Sequence, residues 1–247
     1  MSSKPYSNVC TISKACQILE PRWTLPILNQ MWNGYTRFND IRRAVGGVSP
    51  GVLSKRLEEM ERNGLIERIE DRAKGTVDYV RTDKAIDLEE AMDSLSRWAQ
   101  RNIESEVALN GSNISALMWM LRQAINVAEL PTKRTIMQFH FSGEPEALKK
   151  YWLIYEPGTE LELCIDPPGS DIDLFIETDQ FTCWALFMGR TTFSREKEKG
   201  QFFMSGDALL ERSIERWFPR SSYADVEGVM QLDEERLPTH NQGSGLS

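Results

Sequence analysis

The sequence predicts an α+β protein of two domains, in which a helical domain closed by a β-hairpin precedes a domain with a mainly antiparallel sheet and an apolar cavity. Its 247 residues suffice for two domains of about 100–200 residues each. Apolar residues recur at helical spacing early in the chain and mostly at strand spacing later. Between them lies the short polar stretch Asn110–Asn113. The predicted domains are therefore residues 1–110 and 111–235, followed by a disordered tail, residues 236–247.

The composition, with 40% hydrophobic and 27% charged residues, is typical of a soluble globular protein. No apolar run reaches the roughly 18 residues that a membrane span needs, and the N-terminus shows no apolar signal core. Cys10, Cys16, Cys164 and Cys183 are irregularly spaced without a CxxC pair, which favours reduced thiols over a disulfide or a zinc site. We therefore expect a cytoplasmic protein without membrane contacts, metal or cofactor.

The net charge of −8 is unevenly distributed along the chain. Residues 1–82 carry 13 Lys and Arg against 9 Asp and Glu, whereas residues 83–247 carry 16 against 28. Contact with a polyanion requires a local basic face and not a basic total. The first domain could supply such a face, although proteins without nucleic-acid partners show similar asymmetry.

Helical spacing begins near the N-terminus. Ile12, Cys16 and Leu19 fall on one helical face, which predicts that Cys16 belongs to the core. A Pro-Arg-Trp break separates this helix from a second apolar helix that ends at Gly34, and a short third helix begins at Arg37.

Ser49-Pro50 predicts the start of a fourth helix, because Ser is a favoured N-cap and Pro suits the first helical position. Two β-rich segments follow, Leu65–Ile69 and Val77–Val80, and Gly75 allows the reversal between them. A long amphipathic helix is predicted from about Thr82. The apolar positions of the fourth helix are Leu53, Leu57 and Met60, and those of the long helix include Leu88, Met92, Leu95 and Trp98.

The second domain is predicted to begin with a helix from Ile114 to Ile125 and to end with a helix from Asp207 to Phe218. Its strands are predicted at Thr135–Phe141, Trp152–Tyr155, Glu160–Ile165, Ile172–Glu177, Thr182–Met188 and Gly200–Ser205.

Helices followed by a hairpin, in this order, are typical of a winged helix-turn-helix, which binds double-stranded DNA. The fourth helix would present a small, cationic surface to the major groove, with Arg56 at its flank for a phosphate contact. Ordinary solvated charges on a helical domain are the alternative. The residues predicted to contact DNA are Arg37, Ser49, Pro50, Gly51, Ser54, Lys55, Arg56, Arg72 and Lys74, with Arg62 on the same face.

The first domain closely resembles the HxlR family of winged-helix regulators over residues 8–104. The resemblance lies in Cys10-Thr11-Ile12, Arg22-Trp23-Thr24-Leu25, Ile27-Leu28, Arg37–Ile41, Gly47–Pro50, Leu53–Leu57, Asn63–Ile66, Tyr79–Thr82 and Trp98. Thr11, Pro26 and Ala85 depart from the family pattern. All three lie outside the cationic surface of the fourth helix, which we call the predicted reading face. The resemblance implies a bacterial transcriptional regulator that binds a two-fold-related operator as a homodimer. The terminal helices would join the two copies, and we assign dimerisation to Leu88, Met92, Leu95 and Trp98.

Cys10 matches a cysteine with which some members of this family sense electrophiles or oxidants. Sensing requires thiolate character and exposure, and Lys4 and Lys14 could lower the pKa of the thiol. The alternative is an incidental thiol. Cys164 and Cys183 lie in predicted apolar strands, so we expect both to be buried and inert.

The second domain resembles the sterol-carrier-protein-like fold. The resemblance lies in Ile172–Asp179, Thr182-Cys183-Trp184, Gly189, Gly200–Phe203, Ser205-Gly206-Asp207, Leu209-Leu210 and Trp217-Phe218. It implies a cavity for a fatty or other apolar ligand. The predicted lining residues are Phe175, Trp184, Phe187, Met204, Leu209 and Trp217. A domain without a cavity, used for dimerisation or partner binding, remains an alternative.

Three function classes follow. A regulator controlled by an apolar ligand is preferred, with redox control through Cys10 as an alternative. A lipid carrier with a winged-helix interaction module is the second class. An enzyme is disfavoured, since the two histidines, His140 and His240, accompany no nucleophile elbow, P-loop, GxGxxG or HExxH motif.

Overall fold

The computed structural model describes residues 10–109 and 114–232. Contacts divide the chain into two compact units, Met1–Leu95 and Ser96–Ser247. This division lies upstream of the boundary expected at Asn110–Asn113, which falls outside the described residues, as does the predicted tail.

The first unit consists of helices and one hairpin, in the predicted order. Its helices are α1 (Thr11–Leu19), α2 (Thr24–Trp32), α3 (Phe38–Val45), α4 (Pro50–Arg62) and α5 (Asp83–Ile86), and its strands are β1 (Ile66–Asp71) and β2 (Thr76–Arg81). The two strands pair antiparallel. The core takes one face of each of α2, α3 and α4, and includes Ile27, Ile41 and Leu57.

The second strand of the hairpin is anchored to the helices by two hydrogen bonds. The amide of Tyr79 in β2 donates to the carbonyl of Thr36, just before α3, at 2.8 Å. The hydroxyl of Thr82 donates to the carbonyl of Gly64, just after α4, at 2.7 Å. These bonds fix the hairpin against the ends of the two helices that precede it.

The long helix predicted from Thr82 is interrupted, and that prediction is wrong. The helix α5 ends at Ile86, and a second helix, α6 (Glu89–Asn102), begins three residues later. Glu89 and Glu90 occupy the first turn of α6, where carboxylates stabilise a helix N-terminus. The helix α6 crosses the division between the units at Leu95 and Ser96.

The second unit surrounds a five-stranded sheet of order β5-β4-β3-β6-β7. Three of the neighbouring pairs are antiparallel, and β3 pairs with β6 in parallel. The strands are β3 (Thr135–Ser142), β4 (Lys150–Tyr155), β5 (Glu162–Cys164), β6 (Leu174–Asp179) and β7 (Phe202–Gly206). The helices are α7 (Ser105–Leu109), α8 (Ile114–Ala124), α9 (Gln180–Phe187), α10 (Phe193–Glu198), α11 (Ala208–Arg212) and α12 (Ile214–Trp217), with 3-10 turns at Val127–Glu129 and Glu146–Leu148.

The segment Thr182–Met188, predicted as a strand, forms the helix α9 instead. Asp179 caps its start, since Oδ1 accepts from the amide of Thr182 at 2.9 Å and Oδ2 accepts from the hydroxyl of Thr182 at 2.7 Å. The run is apolar on every side, so its periodicity could not distinguish a buried strand from a buried helix. Cys183 is therefore buried in a helix and not in a strand.

The closing helix predicted from Asp207 to Phe218 is divided at Ser213 into α11 and α12. The hydroxyl of Ser213 donates to the carbonyl of Leu209 at 2.8 Å, a local bond that competes with the regular helical pattern. The helix α10 had no counterpart in the sequence prediction.

The end of α6 is held within the second unit by a buried polar network. The guanidinium of Arg190 is buried, and it donates to Oε1 of Gln100 at 2.9 Å and to the carbonyl of Ile103 at 2.8 Å. Nε2 of Gln100 donates to the carbonyls of Met188 and Tyr223 at 2.8 and 3.1 Å. Residues that follow Leu95 thus pack with the second unit, which explains where the division falls.

Candidate nucleic-acid interface

The helix α4 has one buried face and one exposed face. Ser49 caps its start, accepting from the amide of Val52 at 3.4 Å, and Pro50 is the first helical residue, as predicted. The buried side chains are Leu53, Leu57 and Met60, and the exposed residues of the predicted reading face are Gly51, Ser54, Lys55 and Arg62. A Cβ added to Gly51 would meet nothing within 4 Å, so protein packing does not require this glycine.

The two flanking arginines of the predicted interface are each paired with a carboxylate. Arg37 occupies the position just before α3, and its Nε lies 3.6 Å from Oδ1 of Asp78 in the hairpin. Arg56 is half-buried, and its Nη1 is paired with Oε2 of Glu59, three residues later on α4. Each of these two cations therefore has a counter-charge within the first unit.

The tip of the hairpin is exposed and tightly turned. Oδ1 of Asp71 accepts from the amides of Ala73 and Lys74 at 3.0 and 3.1 Å. Nζ of Lys74 lies 3.5 Å from Oδ2 of Asp71, and Arg72 is exposed beside it. Gly75 has a positive φ of 63°, which favours glycine and closes the turn.

The sequence analysis overlooked the carboxylates that accompany these cations. Glu59 stands at i+3 from Arg56, a spacing that predicts a helical ion pair and could have identified it. No comparable signal exists for Asp78, because it lies 41 positions after Arg37 and meets it only once the hairpin has docked.

The residues assigned to dimerisation divide into two kinds. Leu88 and Met92 pack against the core of the first unit. Leu95 and Trp98, three residues apart on α6, are 50% and 51% exposed. On α1, Ile12 is 70% exposed and Cys16 is half-buried, so the prediction that Cys16 is a core residue is wrong.

Cys10 is exposed and caps the start of α1. Hydrogen bonds from the backbone amides of Ser13 and Ile12 lower the pKa of its thiol. Burial raises the pKa of Cys183 and of Cys164, and Cys164 is half-buried rather than enclosed. Lys4, expected beside Cys10, lies outside the described residues.

The six predicted ligand-lining residues are not all brought together. Trp217 is buried in the core of the second unit, and Trp184, Phe187 and Met204 pack against that core. Leu209 is 57% exposed on α11. Phe175 alternates with the buried residues of β6 and meets the exposed Phe203 at 6.4 Å between ring centroids, so it lies on the other face of the sheet.

The described residues show no candidate metal site and no candidate membrane-spanning helix. No cluster of three or more His, Cys, Asp or Glu there is arranged to hold a metal ion. None of the helices in that part of the chain is long and apolar enough to cross a lipid bilayer. His140 lies in β3 with Nδ1 3.5 Å from Oε1 of Glu177, and His240 is outside the described residues.

Comparison with known proteins assigns a part of the chain that includes most of the first unit. A family model described as HxlR-like helix-turn-helix matches residues 18–107. The HTH-type transcriptional regulator YvaP of Bacillus subtilis is 35% identical over 100 residues, which cover 40% of this chain and 93% of YvaP. The chain belongs to the HxlR-like helix-turn-helix family. It is a helix-turn-helix transcriptional regulator, as the sequence predicted.

A second relative matches a similar share of the chain. The HTH-type transcriptional regulator YodB of Bacillus subtilis is 28% identical over 94 residues, covering 38% of this chain and 84% of YodB. The solved structure of reduced YodB is 27% identical, covers 39% of this chain and 97% of that chain, and superimposes with a TM-score of 0.36. The family model ends at residue 107, so the sterol-carrier-like character of the second unit stays a prediction.

Proposed function

We propose that this HxlR-like regulator binds a two-fold-related operator as a homodimer, with α4 of each copy in a major groove. The exposed face of α4 carries the proposal, because Gly51, Ser54 and Lys55 form a small, cationic surface opposite the buried side chains. A helix fits the major groove of B-DNA, where base edges can be read directly. Ser54 and Lys55 would contact base edges or phosphates, and Gly51 would allow close approach of the backbone.

Residues around α4 would fix its register on the duplex. Arg37 and Arg56 stand at the flanks, where a phosphate contact is more natural than a base contact. Arg72 and Lys74 at the exposed hairpin tip would reach an adjacent minor groove. Such contacts position a protein without reading sequence, so specificity would come from α4.

The proposal is tested by replacing Lys55→Ala together with Arg56→Ala. The operator is a duplex that the wild-type protein selects from a random library, and binding is measured by gel shift over a salt series. We expect operator binding to be abolished, because both cations next to the groove are lost, while circular dichroism shows an intact fold.

Lys14→Ala is the control, since it removes one exposed cation from α1. We expect it to bind as the wild type does. Full binding by the double variant would remove α4 from the interface. A lipid carrier with a winged-helix interaction module would bind no duplex in any form.

The homodimer is supported by the apolar residues that remain exposed on terminal helices. Ile12 on α1 and Leu95 and Trp98 on α6 are at least half exposed. Burial of large apolar side chains is favourable, and Leu95 and Trp98, three residues apart on α6, would be buried together on one helical face. A two-fold pairing through these helices would place one α4 on each half-site.

An apolar ligand in the second unit is supported by a smaller set of residues than the sequence suggested. Trp217 lies in the apolar core of this unit, and Trp184, Phe187 and Met204 pack against that core. The buried Nε1 of Trp184 has no hydrogen-bond partner among the described residues, so it could donate to a polar group of a ligand. Such a ligand would shift operator affinity by its preference between two states of the regulator, and by no more.

Redox control through Cys10 is a second candidate. Its support is an exposed thiol whose pKa is lowered by two backbone amides. The thiolate is the form that reacts with oxidants and electrophiles. In this case the second unit would need no ligand.

A further inference from the structure

The cations around α4 differ in how they are held. Nε of Arg37 lies 3.6 Å from Oδ1 of Asp78, and the two side chains come from different elements. For Lys55 on the exposed face, no carboxylate of residues 10–109 or 114–232 lies within 4.0 Å of Nζ. Lys55 is thus free to follow a phosphate, whereas the guanidinium of Arg37 has a carboxylate of the hairpin beside it.

The carboxylate of Asp78 is itself firmly placed. Its Oδ1 accepts from the hydroxyl of Thr36 at 2.7 Å, and the amide of the next residue, Tyr79, donates to the carbonyl of Thr36 at 2.8 Å. Since Thr36 directly precedes Arg37, the hairpin and the start of α3 are joined at the point where Arg37 emerges. Asp78 meets Arg37 through Nε, which leaves both Nη groups for another acceptor.

We propose that Asp78 is a specificity-determining residue for DNA binding, an inference that rests on the proposed function. A phosphate in the operator register meets the Nη groups of an Arg37 that is already in place, so little side-chain entropy is lost. A phosphate in a different register is reached only if Arg37 leaves Asp78, and the exposed carboxylate then repels the DNA. Asp78 therefore weakens binding to random sequence more than binding to the operator.

Asp78→Asn tests the inference, because the substituted amide can still accept the Thr36 hydroxyl while the negative charge is lost. Affinity is measured for the selected operator and for a random duplex of equal length, over a salt series. We expect affinity for the random duplex to rise roughly two- to fivefold, the range of an exposed ion pair. The slope of log affinity against log salt should steepen by about 0.9 for that duplex. Operator affinity should rise less, so the ratio of the two affinities falls.

Asp87→Asn is the matched control, since it removes the same charge from an exposed residue at the end of α5. It should leave the affinity ratio unchanged. In a chain that already carries Arg37→Gln, Asp78→Asn should no longer alter the ratio, which separates loss of the pair from damage to the fold.

Three results would overturn the inference: an equal rise for both duplexes, an unchanged ratio, or an effect that persists without Arg37. Wild-type protein that binds no duplex would instead refute the proposed function itself.

Discussion

Neighbouring backbone groups set the chemistry of single side chains in this protein. Cys10 precedes the first turn of α1, where free amides lower the pKa of its thiol. Cys183 is enclosed in α9, and burial, with a contribution from Asp179, raises the pKa of its thiol. We therefore expect the thiol of Cys10 to be more reactive than that of Cys183, because the two thiols have different surroundings in the folded protein.

Alkylation with iodoacetamide checks this difference. We expect Cys10 to react faster than Cys164 at neutral pH, because a lowered pKa keeps more thiolate as the pH falls and a raised pKa keeps less. Cys183 should react only when the protein unfolds. Peptide mass spectrometry measures each rate.

Replacing Cys10→Ser should preserve basal operator binding and blunt any response to diamide, with Cys164→Ser as the control. An undiminished diamide response in the Cys10→Ser protein would refute the sensor role.

At the scale of elements, capping residues decide where helices begin. Ser49 was recognised from sequence because Pro follows it, and the observed cap agrees. Asp179 was not recognised, because the apolar run that follows it lacks any periodicity. The end of α6 does not depend on a capping residue. There the buried side chain of Gln100 forms hydrogen bonds with Arg190 and with two backbone carbonyls from distant parts of the second unit.

Gln100→Leu should destabilise the second unit by about 2–3 kcal/mol, because an arginine donor and two carbonyls lose their partner in a buried site. Hydrogen exchange of peptides covering α6 and α7 measures the loss of protection. Asn102→Leu, on the exposed side of α6, should change stability by less than about 0.5 kcal/mol. Equal protection in the wild type and Gln100→Leu would show that the network does not hold the helix.

At the scale of the whole molecule, assembly and ligand can be tested together by native mass spectrometry of protein purified from its own host. We expect a two-chain mass and a co-purified apolar molecule. Leu95→Glu with Trp98→Glu should give a one-chain mass, because charged side chains cannot be buried unpaired in an interface. Ile86→Glu, at a residue of α5 that is 45% exposed, is the control.

A two-chain mass for the Leu95→Glu, Trp98→Glu protein would place the dimer contact elsewhere. An unmodified mass for protein from the host would refute the apolar ligand, and the redox alternative would then be favoured.

The helix α4 of the candidate interface was predictable from sequence, but the carboxylates paired with the cations around it were not all predictable. Leu53, Leu57 and Met60 recur at helical spacing after a Ser-Pro start, and that local pattern fixes which face is buried. The pairing of Arg37 with Asp78 depends on how the hairpin docks, which no local spacing encodes.

The sequence by itself determined the order of the first unit and the α4 helix, because caps, turns and short-range periodicity are local properties. The HxlR-like family was indicated by the resemblance of its motifs. Only the tertiary structure decided that 182–188 forms a helix, that Phe175 and Leu209 lie apart from the core, and that residues after Leu95 join the second unit. These depend on contacts between distant segments, and an apolar run alone does not specify which partner will bury it.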